Sequence, residues 1–402
     1  MTGPIAFPAE LPVPGEVMRI AERLEAAGHE AWCVGGSVRD ALLGRSGGDF
    51  DIATSAHPRE VQQLFRRTVA VGVKFGTVGV LDRHGCMHEV TTFRHDVTTD
   101  GRHAVVQYGA SLEDDLARRD FTINAIAYHP LRREWRDPFD GAGDLAAGMV
   151  RAVGRPADRF REDYLRILRA LRFAARLDFR IEQATWAAAQ EHAPGLEQLS
   201  AERVRDEWFK SLRTARAIER LVDLWWASGA AAVRLPELAT PGQVSAMRGI
   251  AATGLGERDP VLLTAVLCRD AATVLERLRA SNSDIERARA LAELPDAPGS
   301  VSPADVRRWL ARVGAAADDI IAVAVLRHGA PPAWTAPVTA VRERGDPLGR
   351  RDLAVTGDDL RAAGLPPGPR LGAVLDRLLD AVLEDPSLNR RDVLMSRARE
   401  LL

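Results

Sequence analysis

Residues 35–40 read Gly-Gly-Ser-Val-Arg-Asp and residues 49–51 read Asp-Phe-Asp, and the apolar run 31–34 lies directly ahead of them. The apolar run is typical of a strand, the glycines allow a ligand close to the backbone, and Ser37 is a candidate cap for a helix that runs to Gly44. A helix that starts at such a turn presents backbone N–H groups and a positive dipole end. The stretch therefore predicts a strand, turn and helix that hold a phosphate.

The Asp-Phe-Asp doublet predicts a metal site. At the period of a strand, Asp49 and Asp51 share one face, while Phe50 and Ile52 point to the buried side. Two carboxylates on one face are suitable ligands for Mg²⁺. A Gly-Gly turn alone is ordinary, and an Asp-x-Asp on a loop is usually solvated. Their succession within one strand–helix–strand unit indicates nucleotide chemistry.

The composition is that of a globular protein with 402 residues, of which 46% are hydrophobic and 27% charged. We find no basic and apolar leader and no run of about eighteen apolar residues, so we expect no membrane association and a cytoplasmic location. The three scattered cysteines, Cys33, Cys86 and Cys268, exclude a zinc finger and are expected to fill the core. Because the net charge is −2, any contact with nucleic acid depends on local patches.

Short β-rich runs alternate with helical ones up to Val150, and helical periodicity with proline-containing turns dominates afterwards. The predicted strands are Ala31–Val34, Phe50–Ala53, Gly76–Leu81 and Met87–Thr92, and the first predicted helices are Val17–Ala27 and Pro58–Arg66. We therefore expect a flexible N-terminus at 1–15, an α/β head at 16–150, a helical neck at 151–215, and a helical body and tail at 216–402.

A polar stripe marks the start of the helical part. The segment from Glu162 to Phe173 predicts one helix. The wider segment 151–180 contains nine arginines and only four acidic residues. The helix is expected to bury Ile167, Leu168, Leu171 and Ala174 and to carry Asp163, Arg166, Arg169 and Arg172 at every third residue. Such a stripe is ordinarily a solvated face with internal ion pairs.

Four blocks, taken in order and spacing, closely resemble the motifs of class II CCA-adding tRNA nucleotidyltransferases, whose superfamily includes bacterial poly(A) polymerases. They are Gly-Gly-Ser-Val-Arg-Asp at 35–40, Asp-Phe-Asp at 49–51, Arg-Arg-Asp-Phe-Thr-Ile-Asn-Ala at 118–125 and Glu-Asp-Tyr-Leu-Arg at 162–166, and residues 200–207 and 357–372 are similar to later motifs. The resemblance implies an α/β nucleotidyltransferase head, a small mixed sheet with helices, followed by an all-α neck, body and tail. The implied function is template-free addition of C, C and A to the 3′ end of tRNA from CTP and ATP.

The resemblance also implies a catalytic centre. Asp49 and Asp51 would hold Mg²⁺, which activates the tRNA 3′-hydroxyl for in-line attack on the α-phosphorus, with pyrophosphate as leaving group. Gly36 and Arg39 would meet the triphosphate, and Arg119 would add charge near the sugar or phosphates.

Base selection would fall to the polar stripe. Cytosine and adenine both present an amino donor beside a ring-nitrogen acceptor, so an Asp163 acceptor next to an Arg166 donor matches both and rejects uracil and guanine. Arg169 and Arg172 would hold the helix or the phosphates. The expected partner is the tRNA acceptor arm, and the sequence does not indicate an oligomeric state.

Several alternatives stay open. The segment 94–117 corresponds to a loop that helps this family to switch from C to A addition, and it departs from the usual tyrosine- and proline-containing form. A partial CC-adding or A-adding enzyme is therefore an alternative, and a poly(A) polymerase is less favoured because the basic apolar signature of that branch is missing. A non-catalytic RNA-binding protein and a transferase acting on proteins or antibiotics are further alternatives. Whether Glu89 joins the acidic cluster is also open.

Overall fold

The computed structural model describes residues 7–45, 50–72, 76–99, 104–252 and 258–401. The chain divides into two compact units, Met1–Pro236 and Glu237–Leu402. Within these described ranges, we find no helix with the length and apolar character needed to cross a membrane.

The first unit is built on a mixed sheet. The strands of this unit are β1 (Ala31–Val34), β2 (Asp51–Thr54), β3 (Thr68–Gly72), β4 (Thr77–Leu81), β5 (Met87–Thr92), β6 (Arg94–Thr99), β7 (Ala104–Tyr108), β8 (Ala127–His129), β9 (Glu134–Arg136), β10 (Met149–Val150) and β11 (Arg180–Ile181). Strands β6 and β7 pair with each other, as do β10 and β11, outside the main sheet. The main sheet has the order β3-β4-β5-β2-β1-β8-β9, with β2 and β5 parallel and its other neighbours antiparallel. The expected α/β head with a small mixed sheet is confirmed, and the four predicted strands agree with β1, β2, β4 and β5 to within one residue.

The other regular elements of the described residues are mainly helices. In the first unit they are α1 (Gly15–Ala26), α2 (Gly36–Leu42), α3 (Pro58–Leu64), α4 (Leu112–Ala117), α5 (Gly141–Ala147), α6 (Pro156–Glu162), α7 (Leu165–Leu177), α8 (Gln183–His192), α9 (Ala201–Thr214), α10 (Ile218–Ala227) and α11 (Ala230–Arg234). In the second unit they are α12 (Pro241–Ser245), α13 (Arg248–Ala252), α14 (Pro260–Leu267), α15 (Ala271–Arg277), α16 (Asn282–Glu293), α17 (Pro303–Val313), α18 (Ala317–His328), α19 (Thr335–Glu343), α20 (Gly357–Ala362), α21 (Pro369–Glu384) and α22 (Arg391–Glu400).

The central strands β1 and β2 are largely buried on both faces, and their successive side chains alternate between the two faces. Cys33 and Ile52 belong to one core, and Trp32 and Ala53 belong to the core on the other face. Phe50 and Ile52 are both buried in the first core, as the strand period predicted. Asp51, which lies between them, is therefore directed to the opposite face.

Two expectations about the head are wrong. The segment 94–117 is not a loop, because its described residues form the antiparallel pair β6–β7 and then α4, which begins after a capping box between Ser111 and Asp114. The cysteines do not all fill the core: Cys33 and Cys268 are buried, but Cys86 is exposed next to β5. Burial, with a smaller contribution from Asp51, raises the pKa of the Cys33 thiol to about 12 and leaves it protonated.

The second unit is held together by buried side chains at its helix contacts. Arg307 of α17 is buried and donates to the backbone oxygens of Leu383 and Glu384, at 2.7 and 2.8 Å, at the end of α21. The unpaired carbonyls at that helix end are thereby satisfied. Its Nη1 also lies 3.0 Å from the buried carboxylate of Asp346, so the positive charge is compensated.

Candidate active site

One cleft in the first unit, with a volume of about 580 Å³, brings together the predicted site residues that the structure describes. Its lining includes Gly36, Arg39, Asp51, Arg119, Asp163, Arg166, Arg169 and Arg172. Asp49 lies outside the described residues. Glu89, whose membership of the acidic cluster was open, lines the same cleft.

The glycine turn between β1 and α2 forms part of the cleft wall. Gly35 has φ +79°, a conformation that L side chains rarely adopt, and a Cβ there would lie 3.2 Å from the Arg119 guanidinium and 3.7 Å from an Asp51 carboxylate oxygen. The helix begins at Gly36 with Gly35 as its N-cap, so the expectation that Ser37 caps the helix is wrong. Ser37 is the second residue of the helix and therefore lies past the capping position.

Two carboxylates meet on the cleft face of the sheet. The parallel register pairs Ile52 of β2 with Val90 of β5, so Asp51 and Glu89, one residue earlier in each strand, are neighbours. Carboxylate oxygens are the ligands that Mg²⁺ prefers, and the two side chains fit such a cation. No three His, Cys, Asp or Glu side chains with metal-binding geometry occur among the described residues.

Arg39 lies at the floor of the cleft and is only 2% exposed. Its guanidinium donates to Asp40 at 2.8 Å and to Oδ1 of Asn124 at 2.6 Å. Burial lowers the pKa of this guanidinium, and Asp40 opposes the shift. Asp40 in turn accepts a bond of 2.8 Å from Arg176 of α7. These contacts join the helix after the glycine turn to α7.

The block at 118–125 contributes a second buried acid. Asp120 is 9% exposed, and its carboxylate accepts hydrogen bonds from Asn124 at 2.9 Å and from Arg169 Nε at 2.7 Å. Burial alone would raise the pKa of Asp120, but the charge of Arg169 and the bond from Asn124 bring it down to about 2. Arg119 is fixed nearby, because its Nη2 lies 3.2 Å from Asp115.

The helix predicted from Glu162 to Phe173 is interrupted, so that expectation is wrong in one respect. Asp163 has φ −157° and ψ 104°, which is extended backbone between α6 and α7. Its Oδ1 accepts from the backbone N–H of Leu165 at 3.0 Å, a local bond that aspartate offers in place of helix continuation. The predicted buried face is confirmed, because Ile167, Leu168, Leu171 and Ala174 have no exposed surface.

Asp163 and Arg166 are each fixed by the protein. The Oδ2 atom of Asp163 accepts a bond of 2.7 Å from Arg203 of α9. Arg166 donates to Glu162 at 2.8 Å and to the backbone oxygen of Arg118 at 3.0 Å. The cleft thus has an acceptor and a donor with fixed orientations near the start of α7.

The positive charges of the α7 arginines are compensated by acidic side chains from other parts of the first unit. Arg172 is buried with Glu207 of α9 and donates to it through Nε, while its guanidinium lies 4.3 Å from the centre of the Phe173 ring. On the same helix, Arg169 pairs with Asp120 of the block at 118–125, and Arg176 pairs with Asp40 of α2. A buried ion pair of this kind holds two helices in a fixed orientation, since separating the charges inside the protein is costly.

Four residues of the site have roles that the sequence did not indicate: Asp120, Asn124, Arg203 and Glu207. Each lies in a block that resembles a family motif, but its partner is 35 to 85 residues away along the chain. The only signal in the sequence was the presence of charged and amide side chains inside apolar blocks.

Comparison with known proteins identifies relatives over nearly the whole chain. The model of the Poly A polymerase head domain matches residues 31–151, and that of the probable RNA and SrmB-binding site of polymerase A matches 178–240. The CCA-adding enzyme of Latilactobacillus sakei is 37% identical over 400 residues, covering 96% of this chain and 97% of the relative. The CCA-adding enzyme of Limosilactobacillus fermentum is 36% identical, covering 95% and 96%. The structure of the Bacillus stearothermophilus CCA-adding enzyme in complex with CTP superimposes with a TM-score of 0.80 at 33% identity, over 96% of this chain and 97% of that one.

Proposed function

Because this chain belongs to the family of CCA-adding enzymes, we propose that it adds C, C and A to the 3′ end of tRNA from CTP and ATP without a nucleic-acid template. The observation that carries the proposal is the composition of the cleft. Carboxylates, a glycine turn, arginines and a fixed acceptor–donor pair line one cavity of about 580 Å³. Phosphoryl transfer needs positioning and charge compensation above all, and these groups supply both.

We propose that Asp49 and Asp51 hold a divalent cation, specifically Mg²⁺, with Glu89, which lines the cleft with Asp51, as a third carboxylate. When bound, Mg²⁺ favours ionisation of the attacking 3′-hydroxyl and compensates the charge of the triphosphate. The carboxylates orient that hydroxyl toward the α-phosphorus, and pyrophosphate leaves in line with the attack.

The triphosphate would lie along the glycine turn. Gly35 and Gly36 have no side chain to block the approach of phosphate oxygens, and Arg119 lies beside the turn. Arg39 contributes positive charge from the floor, where its bonds to Asp40 and Asn124 prevent it from moving with the departing pyrophosphate.

Asp163 and Arg166 would select the base. An ionised carboxylate can accept about four hydrogen bonds, and two positions on Asp163 are used by Leu165 and Arg203. Arg166 has five N–H groups and uses three of them in its contacts with described residues. The remaining acceptor and donor positions match cytosine and adenine. Uracil and guanine would set a carbonyl oxygen against the carboxylate and leave both unpaired.

Arg169 and Arg172 would act by holding α7 in place through Asp120 and Glu207. We further propose that residues 151–215 form the neck and 216–402 the body and tail that contact the tRNA acceptor arm. The match of 178–240 to a family model described as a probable RNA-binding site supports this. The cytoplasmic location stays a prediction.

The direct test incubates purified protein and Mg²⁺ with tRNA transcripts that end before CCA or after CC, with CTP alone, ATP alone or both. The proposal predicts two C additions with CTP, then one A. The variant Asp51→Asn should lose this activity, whereas Asp223→Asn, which alters an exposed carboxylate of α10, should retain it. A stop at CC, addition of A alone, long A tails or RNA binding without extension would each replace the proposal with one of the alternatives.

A further inference from the structure

An exposed apolar patch lies on the head. Among the described residues, the large hydrophobic side chains with high exposure are Val69 (41%), Val71 (45%), Met87 (41%) and Val301 (57%). Val69 and Val71 are on β3 and Met87 is on β5, the two strands on either side of β4, whereas Val301 is in the second unit. Single exposed apolar residues are ordinary, but a cluster next to a functional cleft indicates a binding surface.

The patch is continuous because a glycine lies at its centre. Gly79 of β4 pairs with Val69 of β3, and a Cβ on Gly79 would lie 2.9 Å from Val71 Cγ2 and 2.7 Å from Met87 Sδ. Val71 and Met87 therefore approach each other over Gly79. We call Val69, Val71, Gly79 and Met87 the apolar platform.

The platform is on the same face of the sheet as the catalytic carboxylates. Gly79 pairs with Glu89 in the antiparallel register of β4 and β5, and directly paired residues share a face. Glu89 lines the cleft and neighbours Asp51. Met87 lies on the same strand as Glu89, two residues earlier, and Gly79 lies on the adjacent strand β4, about 4.8 Å from Glu89.

Different structural elements lie on the two sides of the carboxylates, so the two sides suit different substrates. On one side of β2 lies β1, which leads into the glycine turn and α2, and Asp40 of α2 is bonded to Arg176 of α7. That side is the proposed site of the nucleoside triphosphate. The other side of β2 is formed by β5, β4 and β3. In-line transfer requires the attacking oxygen to approach opposite the leaving group, so the RNA end must arrive across β5 and β4.

We propose that the apolar platform carries the last unpaired nucleotides at the 3′ end of the RNA substrate, so that their terminal hydroxyl reaches Asp51 and Glu89. This inference rests on the proposed function. A base has an apolar face whatever its identity, and a methionine thioether packs favourably against an aromatic ring. Such a surface accepts the changing 3′ end after each addition, which a base-specific pocket would not.

Charge near the platform suits the same occupant. Arg66 and Arg67 are exposed immediately before β3, and Arg67 is anchored by a bond of 3.1 Å to the backbone oxygen of Asp82. Exposed arginines beside an apolar surface are the combination that single-stranded nucleic acid requires. A second copy of the chain, bound along the edge strand β3, is the competing occupant.

The test compares Val71→Ser/Met87→Ser with the control Val301→Ser, which removes an even more exposed valine in the second unit. The KM for a tRNA transcript that ends before CCA should rise about tenfold in the double variant, in line with the loss of one base contact, while the KM for CTP stays within about twofold. The control should leave both constants unchanged. A folded double variant with the same KM for RNA as the wild type would overturn the proposal. A wild type that is dimeric in light scattering, with a double variant that is monomeric, would also overturn it.

A second readout does not depend on turnover. A transcript that carries 4-thiouridine as its last nucleotide should crosslink, on irradiation of the wild-type protein, to Met87, identified by fragmentation of the tryptic peptide 84–94, which also contains the cleft residues Glu89 and Thr91. Crosslinks confined to residues other than Val69, Val71 and Met87 would overturn the platform. The crosslink without any nucleotide addition would overturn the proposed function and support the platform.

Discussion

Replacement of Asp120 by asparagine tests how the buried charges hold the cleft together. Asp120 is 9% exposed, and its carboxylate lies 2.6 Å from Arg169 Nη2. The neutral amide of Asp120→Asn keeps the shape of the side chain but leaves the guanidinium of α7 without its counterion. Removing one partner of a buried pair costs more than the pair itself contributes, because the other charge stays buried.

The pKa of Asp120 sets the magnitude. Its pKa falls from the ordinary 3.8 to about 2, and at ~1.4 kcal/mol per unit this corresponds to about 2 kcal/mol of unfolding free energy at neutral pH. The folded-state pKa is the lower one, so the contribution is complete above pH ~5 and is lost as the pH falls through about 2. We expect Asp120→Asn to be destabilised by at least about 2 kcal/mol at pH 7, a fall in Tm of roughly 4–8 °C.

Urea denaturation of the wild type and Asp120→Asn between pH 7 and pH 3 measures this effect. The gap in unfolding free energy should be constant from pH 7 to pH 5 and narrow below pH 4. Asp206→Asn, which removes an exposed carboxylate paired with Arg205, should change stability by less than about 0.5 kcal/mol. If Asp120→Asn lowers the unfolding free energy by less than about 0.5 kcal/mol, or if its difference from the wild type widens as the pH falls, the reasoning is refuted.

Two further variants test single contacts of α7. Arg203→Gln removes the bond that orients Asp163, so incorporation of U and G relative to C and A should rise at least several-fold while protein stability is unchanged. Competition among the four nucleoside triphosphates measures this ratio. Unchanged selectivity would show that Asp163 needs no support from Arg203. Glu207→Gln leaves the buried Arg172 without the carboxylate it pairs with, and should lower the unfolding free energy, measured by urea denaturation, by about 3 kcal/mol. A loss below about 1 kcal/mol would mean that water or another acid replaces Glu207.

The local parts of the fold were predictable because local patterns determine them. The strand at Ala31–Val34 is an apolar run next to a glycine turn, and its predicted bounds are those of β1. The burial of Phe50 and Ile52 follows from the strand period alone. The order and spacing of the motifs, compared with those of a known family, were enough to assign the described cleft residues to one site.

The long-range and fine features of the site were not predictable. The residue period of a helix cannot reveal that Asp163 leaves the helix to bond the N–H of Leu165, because the same residue pattern is compatible with a continuous helix. From the sequence, the polar stripe of this helix is ordinarily a solvated face with ion pairs inside the helix. Instead, tertiary contacts pair Arg169 with Asp120 and Arg172 with Glu207, and such pairs depend on the fold as a whole.

The most direct test of the central claim is sequencing of the 3′ ends that the protein produces. A tRNA transcript that ends before CCA is incubated with the wild type, Mg²⁺ and all four nucleoside triphosphates at equal concentration, and the added nucleotides are read. We predict that the products end in C, C and A and that Asp163→Ala admits U and G. Ends of mixed sequence from the wild type, termination at CC, or unchanged selectivity in Asp163→Ala would contradict the claim.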